Sequence, residues 1–310
     1  MQTPQPSQPD PNNETSAIDS AGTVLPPSSS VFDPTASSQA RESLEVPLAS
    51  LAITGPDAYR FLQGQVTNDL SQLKDTPQQL AAICTPDGKL VTVTSIQQVA
   101  EDYLRIITYG EHIDILSERL RRFRIRVKAD INREPLGWLA DADPKPSPLW
   151  PLDSGLRPTQ AESNPMNDEN FTLLRLGLLA THLPTDAPTT ELLVASVPGL
   201  VNEGVSFTKG CYVGQELVAR TDSRNAKPPI SLFARRFTPS KLDPFTRSLQ
   251  MPLALHAESD NDVVGEIRAL LVEETSVVVS GWVKRRFADH AGLMIDALPE
   301  APPLDFTLVD

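Results

Sequence analysis

Lys209-Gly210-Cys211-Tyr212-Val213-Gly214-Gln215-Glu216 is the densest run of chemically specialised residues in this 310-residue chain. It holds one of two cysteines, a lysine, an aromatic ring, two glycines and a glutamate. Glycines on either side of Tyr212 permit a close backbone approach or a left-handed turn. A helix beginning near Gly210 or Cys211 would aim free N–H groups at the thiol and lower its pKa, and Lys209 would add to that. The competing reading is a buried, inert cysteine. No histidine lies near Cys211 in sequence, which weakens a protease-like nucleophile. Glu216, followed by Leu217 and Val218, reads as a buried carboxylate that needs a bidentate partner: an arginine, or the amidine-like edge of a ligand ring.

Upstream, Leu48 to Ile53 reads as a strand. Thr54-Gly55-Pro56-Asp57 opens a helix, because proline is tolerated where a first-turn N–H is unpaired anyway. Ala58, Phe61 and Leu62 form its apolar stripe, and Gly64 stops it. The polar residues Gln63, Gln65, Thr67 and Asn68 serve either as capping groups or as the lining of a polar pocket. Leu80 to Ile83 and Leu90 to Ile96 flank Cys84-Thr85-Pro86-Asp87-Gly88-Lys89, and Asp-Gly between β-prone runs signals a hairpin. Tyr103 to Thr108 is a further strand, and His112 to Phe123 has helical periodicity. Ile125, Val127, Ala129 and Ile131 alternate with Arg124, Arg126, Lys128 and Asp130, which predicts a half-buried strand. The basic cluster from Arg119 to Lys128 is either a solvated face or an anion site, for RNA phosphates or a polyglutamate tail.

Residues 1–43, with no basic residue before Arg41, read as a disordered acidic tail and as neither a secretory nor a mitochondrial leader. Residues 44–228 form the main α+β region. Within it, 143–169 carries six prolines and reads as a loop. Residues 229–310 hold short strands at 230–237, 263–271 and 277–283, an all-β unit expected to be a small barrel. Cys84 and Cys211 offer neither a disulfide framework nor a metal knuckle, the usage of a cytoplasmic protein. No apolar run reaches the length of about 18 residues that a membrane span needs. A net charge of −13 argues against direct nucleic-acid or anionic-membrane binding.

The octapeptide 209–216, continued by Leu217-Val218-Ala219-Arg220, resembles the signature of YgfZ-type folate-binding proteins, relatives of the glycine-cleavage T protein. Gly55-Pro56-Asp57-Ala58 through Asp69 resembles that family's first helix and following loop, and Ala81 to Lys89 its hairpin. The resemblance implies an α+β fold: a folate-binding region of two ferredoxin-like parts, followed by a small β-barrel. It implies tetrahydrofolate as cofactor, and a role in assembling or repairing iron–sulfur enzymes, including those that thiolate tRNA. Cys211 would be the functional thiol, or a transient cluster ligand, with no standing metal site. Lys209, Tyr212, Gly214, Gln215, Glu216, Arg220 and Arg224 would contact folate or shape its cleft, with Gln63, Gln65, Thr67 and Asn68 adding polar contacts. Iron–sulfur enzymes or assembly factors would be the partners of a monomeric chain.

Thr92 and Val93 stand where aminomethyltransferases carry an acidic pair. Neither can act as a general base, which argues against aminomethyl transfer. A transferase using Asp69 or Asp87 instead, and a non-enzymatic RNA- or protein-interaction module, are the alternatives.

Overall fold

The computed structural model describes residues 16–18, 24–25 and 43–304, except 142–146, 161–167, 187–191, 225–227, 240, 247–248, 258–259, 290–291, 297 and 299–302. The main region is built on an antiparallel sheet. Its strand order is Gln79–Cys84, Leu90–Ala100, Tyr103–Tyr109, Leu48–Thr54, Asp130–Glu134. Gln79–Cys84 is buried along its whole length, so both sheet faces are covered. Ala81 and Ile83 lie under the helices Ala58–Gln63 and Ile113–Phe123, packed with Phe61, Leu62, Leu116 and Leu120. Leu80, Ala82 and Cys84 face the other way, onto Trp150, Leu152, Phe171, Leu200 and Val218. Each leucine, isoleucine or phenylalanine among them contributes roughly 1.5–3 kcal/mol on burial.

The hairpin forms as its Asp-Gly turn predicts, with Gly88 at φ +83° and the Thr85 N–H donating to the Lys89 carbonyl at 2.8 Å. The alternating stretch after Phe123 does not form a strand until Asp130. Arg126 is left-handed (φ 57°) and Ile125 is 74% exposed, so the apolar set of the pattern does not share one face. Arg124 reaches ahead instead and donates to the Ala129 carbonyl at 2.7 Å.

The proline-rich 143–169 stretch is more ordered than a loop where it is described. Leu149, Trp150 and Leu152 enter the core, and Trp150 Nε1 donates to the Asp141 carbonyl at 3.1 Å. Arg157–Gln160 pairs with Leu136–Asp141, which pairs in turn with Ser43–Val46. Phe171 lies in the helix Asp168–Gly177.

The C-terminal unit contains Ile230–Phe237, Leu253–Ala257, Asp260–Val272, Val277–Lys284 and Leu293–Ile295. Their pairings form an open path among the described residues and do not close into a barrel. Most of the expected acidic tail lies outside the described residues. Its described pieces, Ser16–Ile18 and Val24–Leu25, are short strands, the first paired with Leu270–Val272. The two halves of the chain are tied by a buried pair. Arg175 holds Asp186 bidentately at 2.9 and 3.1 Å, and Ser280 of the C-terminal sheet donates to Asp186 at 2.8 Å. No helix among the described residues is long and apolar enough to cross a membrane.

Candidate functional site

The segment after the first helix and the octapeptide form one structure. Lys209 is buried, and its Nζ donates to the carbonyls of Gln63 (2.7 Å), Val66 (2.8 Å) and Asn68 (2.8 Å). Three converging acceptors match the three protons of an ammonium. Burial pulls the Lys209 pKa down to about 8, with Asp69 opposing. The ammonium also lies 5.2 Å from the centroid of the buried Tyr212 ring, whose phenol burial pushes well up. Val213 N–H donates to the Gly64 carbonyl at 3.1 Å, closing the arrangement.

The four polar residues of that segment are engaged inside the protein. The Gln63 amide donates to Asp69 and accepts from the Leu70 N–H, each at 2.9 Å. Thr67 Oγ1 donates to the Gly204 carbonyl at 2.5 Å and accepts from Ala82 N–H at 2.8 Å. Asn68 Nδ2 donates to the carbonyls of Leu80 (2.8 Å) and Glu203 (3.0 Å). Gln65 Oε1 accepts from Arg119 at 3.3 Å.

Arg119 is a residue that the sequence reading placed only in the basic stripe. It is buried, donates to the Cys84 carbonyl at 2.8 Å and sits 3.7 Å over the Phe123 ring. Its spacing from Leu116 and Phe123 puts it on the apolar face of the helix, a signal available in the sequence. Lys209's role had no such signal, because its acceptors are backbone carbonyls far along the chain.

The hairpin docks on the octapeptide through glycine. Gly214 is left-handed (φ +87°), and a Cβ there would sit 2.7 Å from both the Cys84 Cβ and the Thr85 carbonyl oxygen. The helix Gln215–Ser223 begins beyond it, with Gly214 as N-cap. It therefore starts after Cys211, and its first-turn N–H groups do not begin at the thiol as the helix-start reading required. Cys211 is exposed, and Cys84 is buried. Burial pushes the Cys84 thiol up to about 12 despite Arg119.

Glu216 corrects the buried-carboxylate reading: its side chain is 85% exposed and pairs with Arg220 one turn along the same helix. Gln215 is half-buried at the first turn, and Arg224 is exposed at the helix end. Thr92 is buried, with its hydroxyl 2.8 Å from Thr108 Oγ1 and 2.9 Å from His112 Nδ1. Val93 lies in the core. No carboxylate occupies either position.

Beside the docked hairpin lies a pocket of about 140 Å³, lined by Leu193, Val194, Phe207, Leu217, Val218 and Asp222 among others. It has apolar walls and one carboxylate.

Comparison with known proteins gives the same frame. No family model matches the chain. An uncharacterized protein of Haemophilus influenzae is 26% identical over 190 residues, covering 57% of this chain and 66% of that protein. The tRNA-modifying protein YgfZ of Yersinia pseudotuberculosis is 27% identical over 220 residues, with the same coverage. The tRNA-modifying protein YgfZ of Hamiltonella defensa is 25% identical over 222 residues, covering 56% of this chain and 63% of that protein.

This chain is a relative of the YgfZ-type proteins.

The matches span just under two thirds of those relatives' own length. Among solved structures, the glycine cleavage system aminomethyltransferase T from Bartonella henselae superposes with a TM-score of 0.55 at 12% identity, covering 82% of this chain and 81% of that one. At that identity the likeness speaks to fold alone: a mixed α/β architecture of the T-protein kind.

Proposed function

We propose that this chain is a tetrahydrofolate-binding accessory protein for iron–sulfur enzymes that acts indirectly on tRNA modification, with Cys211 as its functional thiol. The observation that carries the reading is the placement of Cys211. Lys209 on one side is held by three carbonyls, Gly214 on the other is clamped against Cys84, and the thiol between them is left exposed. Such a mounting presents a thiol at a defined place without burying it. The relatives named as tRNA-modifying proteins support the tRNA link.

The folate reading rests on fit. Flat ring faces suit the apolar walls of Leu193, Val194 and Leu217, and an aminopyrimidine edge suits the Asp222 carboxylate. At about 140 Å³ the pocket is smaller than the roughly 300–1,000 Å³ of sites that enclose drug-sized ligands, so it takes a ring and leaves the rest of a folate outside. Lys209, Gln63, Thr67 and Asn68 brace the octapeptide from within rather than contact the ring, since their polar groups are engaged inside the fold. We further read the main region as two ferredoxin-like parts. We read the chain as a cytoplasmic monomer, its partners as iron–sulfur enzymes or assembly factors, and any cluster contact at Cys211 as transient.

Titration with tetrahydrofolate, for the wild type and Asp222→Asn, tests the cofactor. Binding near micromolar (about −8 kcal/mol), weakened in the variant, is the expected result, and no binding overturns the folate reading. Iron–sulfur enzyme activity in cells carrying Cys211→Ala tests the thiol. Full activity in that variant would exclude it.

A further inference from the structure

The first helix separates the octapeptide from a second concave surface. At the helix's N-terminal side lies an open groove of about 530 Å³, lined by Thr54, Gly55, Arg124, Arg126, Lys128 and Asp130 among others. Its walls meet because Gly55 lacks a side chain: at φ +116°, a Cβ there would lie 2.6 Å from the Lys128 carbonyl oxygen.

The groove's charge is unbalanced. Arg124 is oriented by the Ala129 carbonyl at 2.7 Å and by Asp130 at 2.8 Å, so one cation and one carboxylate are paired. Asp57 at the rim accepts from the Lys128 backbone N–H at 2.9 Å and pairs with Arg60 at 3.2 Å. Arg126 and Lys128 are exposed and form no ion pair with an acidic side chain among the described residues. Two unpaired cations beside an oriented third are notable on a chain of net charge −13. The backbone here also runs against local preference. Arg126 adopts a left-handed conformation that L side chains rarely take, and Ile125 is 74% exposed. Persistent local strain of this kind clusters at ligand sites.

We propose that this groove binds a short multivalent anion, a cluster of carboxylates or phosphates, held by Arg126 and Lys128 with Arg124 as the pre-oriented third donor. The proposal does not rest on the folate reading. A short anion is favoured over a nucleic acid because the long-range field of an acidic chain opposes an extended polyanion, while a local cluster of cations still rewards a compact one.

The test is calorimetric titration of the full chain at low salt with inorganic tripolyphosphate and, separately, with a tetraglutamate peptide. At least one should bind, more weakly as salt rises, and the preferred probe identifies the phosphate or carboxylate source. Arg126→Gln with Lys128→Gln should weaken binding about ten-fold or more. Arg126→Gly keeps the left-handed backbone accessible and removes only the guanidinium, so it should weaken binding while the far-UV circular dichroism is unchanged. Failure of both probes at millimolar concentration, or unchanged affinity in both variants, overturns the proposal. Tighter retention of a tRNA than of either probe, lost in the same variants, also overturns it and makes the groove an RNA surface.

Discussion

Gly88 of the hairpin and Gly214 of the octapeptide meet face to face: a Cβ on Gly214 would lie 3.1 Å from the Gly88 Cα. Both are left-handed, at φ +83° and +87°, and a Cβ on Gly88 would collide with Leu217. Two separate stretches of chain thus approach to backbone contact, and no residue with a side chain fits at either point. Gly214→Ala is expected to destabilise the fold by about 2–4 kcal/mol, combining left-handed strain with overpacking. Urea denaturation checks it, and a loss below about 0.5 kcal/mol, the usual range for an ordinary surface substitution, would mean the two stretches are not in contact.

Lys209 organises the other side of the same junction. Lys209→Met would leave the Gln63, Val66 and Asn68 carbonyls without their shared donor. The expected loss is about 2–4 kcal/mol, since hydrogen bonds to charged groups are worth roughly 1.5–3 kcal/mol each and the three are not independent. Lys209→Arg should not restore stability, because a planar guanidinium cannot meet three converging carbonyls. Equal thermal midpoints for wild type and Arg variant would contradict this geometry.

The two thiols should separate cleanly by reactivity. Cys211 is exposed, whereas Cys84 is buried with its pKa raised to about 12, so it stays a protonated, inaccessible thiol at neutral pH. Iodoacetamide on the native protein should give one adduct, on Cys211, by peptide mass spectrometry. Cys84 should label only in denaturant. Comparable native labelling of both would show that the hairpin is not docked.

Arg175 and Asp186 form a fully buried pair that reaches Ser280 across the seam between the two halves. Removing one partner strands the other charge, so Asp186→Ala should cost about 3–5 kcal/mol. The double replacement Arg175→Met with Asp186→Leu should recover most of that loss. A double variant no more stable than the single one would show that the pair contributes beyond avoiding an orphaned charge.

Local signals were legible wherever the structure is decided locally. The Asp87-Gly88 turn, the apolar stripe from Ile113 to Phe123 and the strand at Ile230–Phe237 all stand where periodicity and turn chemistry place them. The stretch from Ile125 to Ile131 shows where such signals fail. Its alternation is genuine, but Arg124 bonds forward to Ala129 and Arg126 turns left-handed, so a tertiary choice overrides the pattern. Glu216 was misplaced for a similar reason, since which face of its helix is buried depends on where the hairpin docks.

By itself the sequence determined where the specialised residue types lie: the octapeptide, its cysteine, the glycines that demand close approach, and the absence of a carboxylate at 92 and 93. Only the tertiary structure decided what each polar group is free to do. Thr67 meets Gly204 and Lys209 meets Gln63 across separations of 137 and 146 residues. Bonds at such range leave no periodic trace in a sequence, because their partners are backbone atoms that every residue type provides. That is why Lys209 and Thr67 hold the fold together from within, while the Cys211 thiol and the side chains of Arg126 and Lys128 stay exposed at the surface.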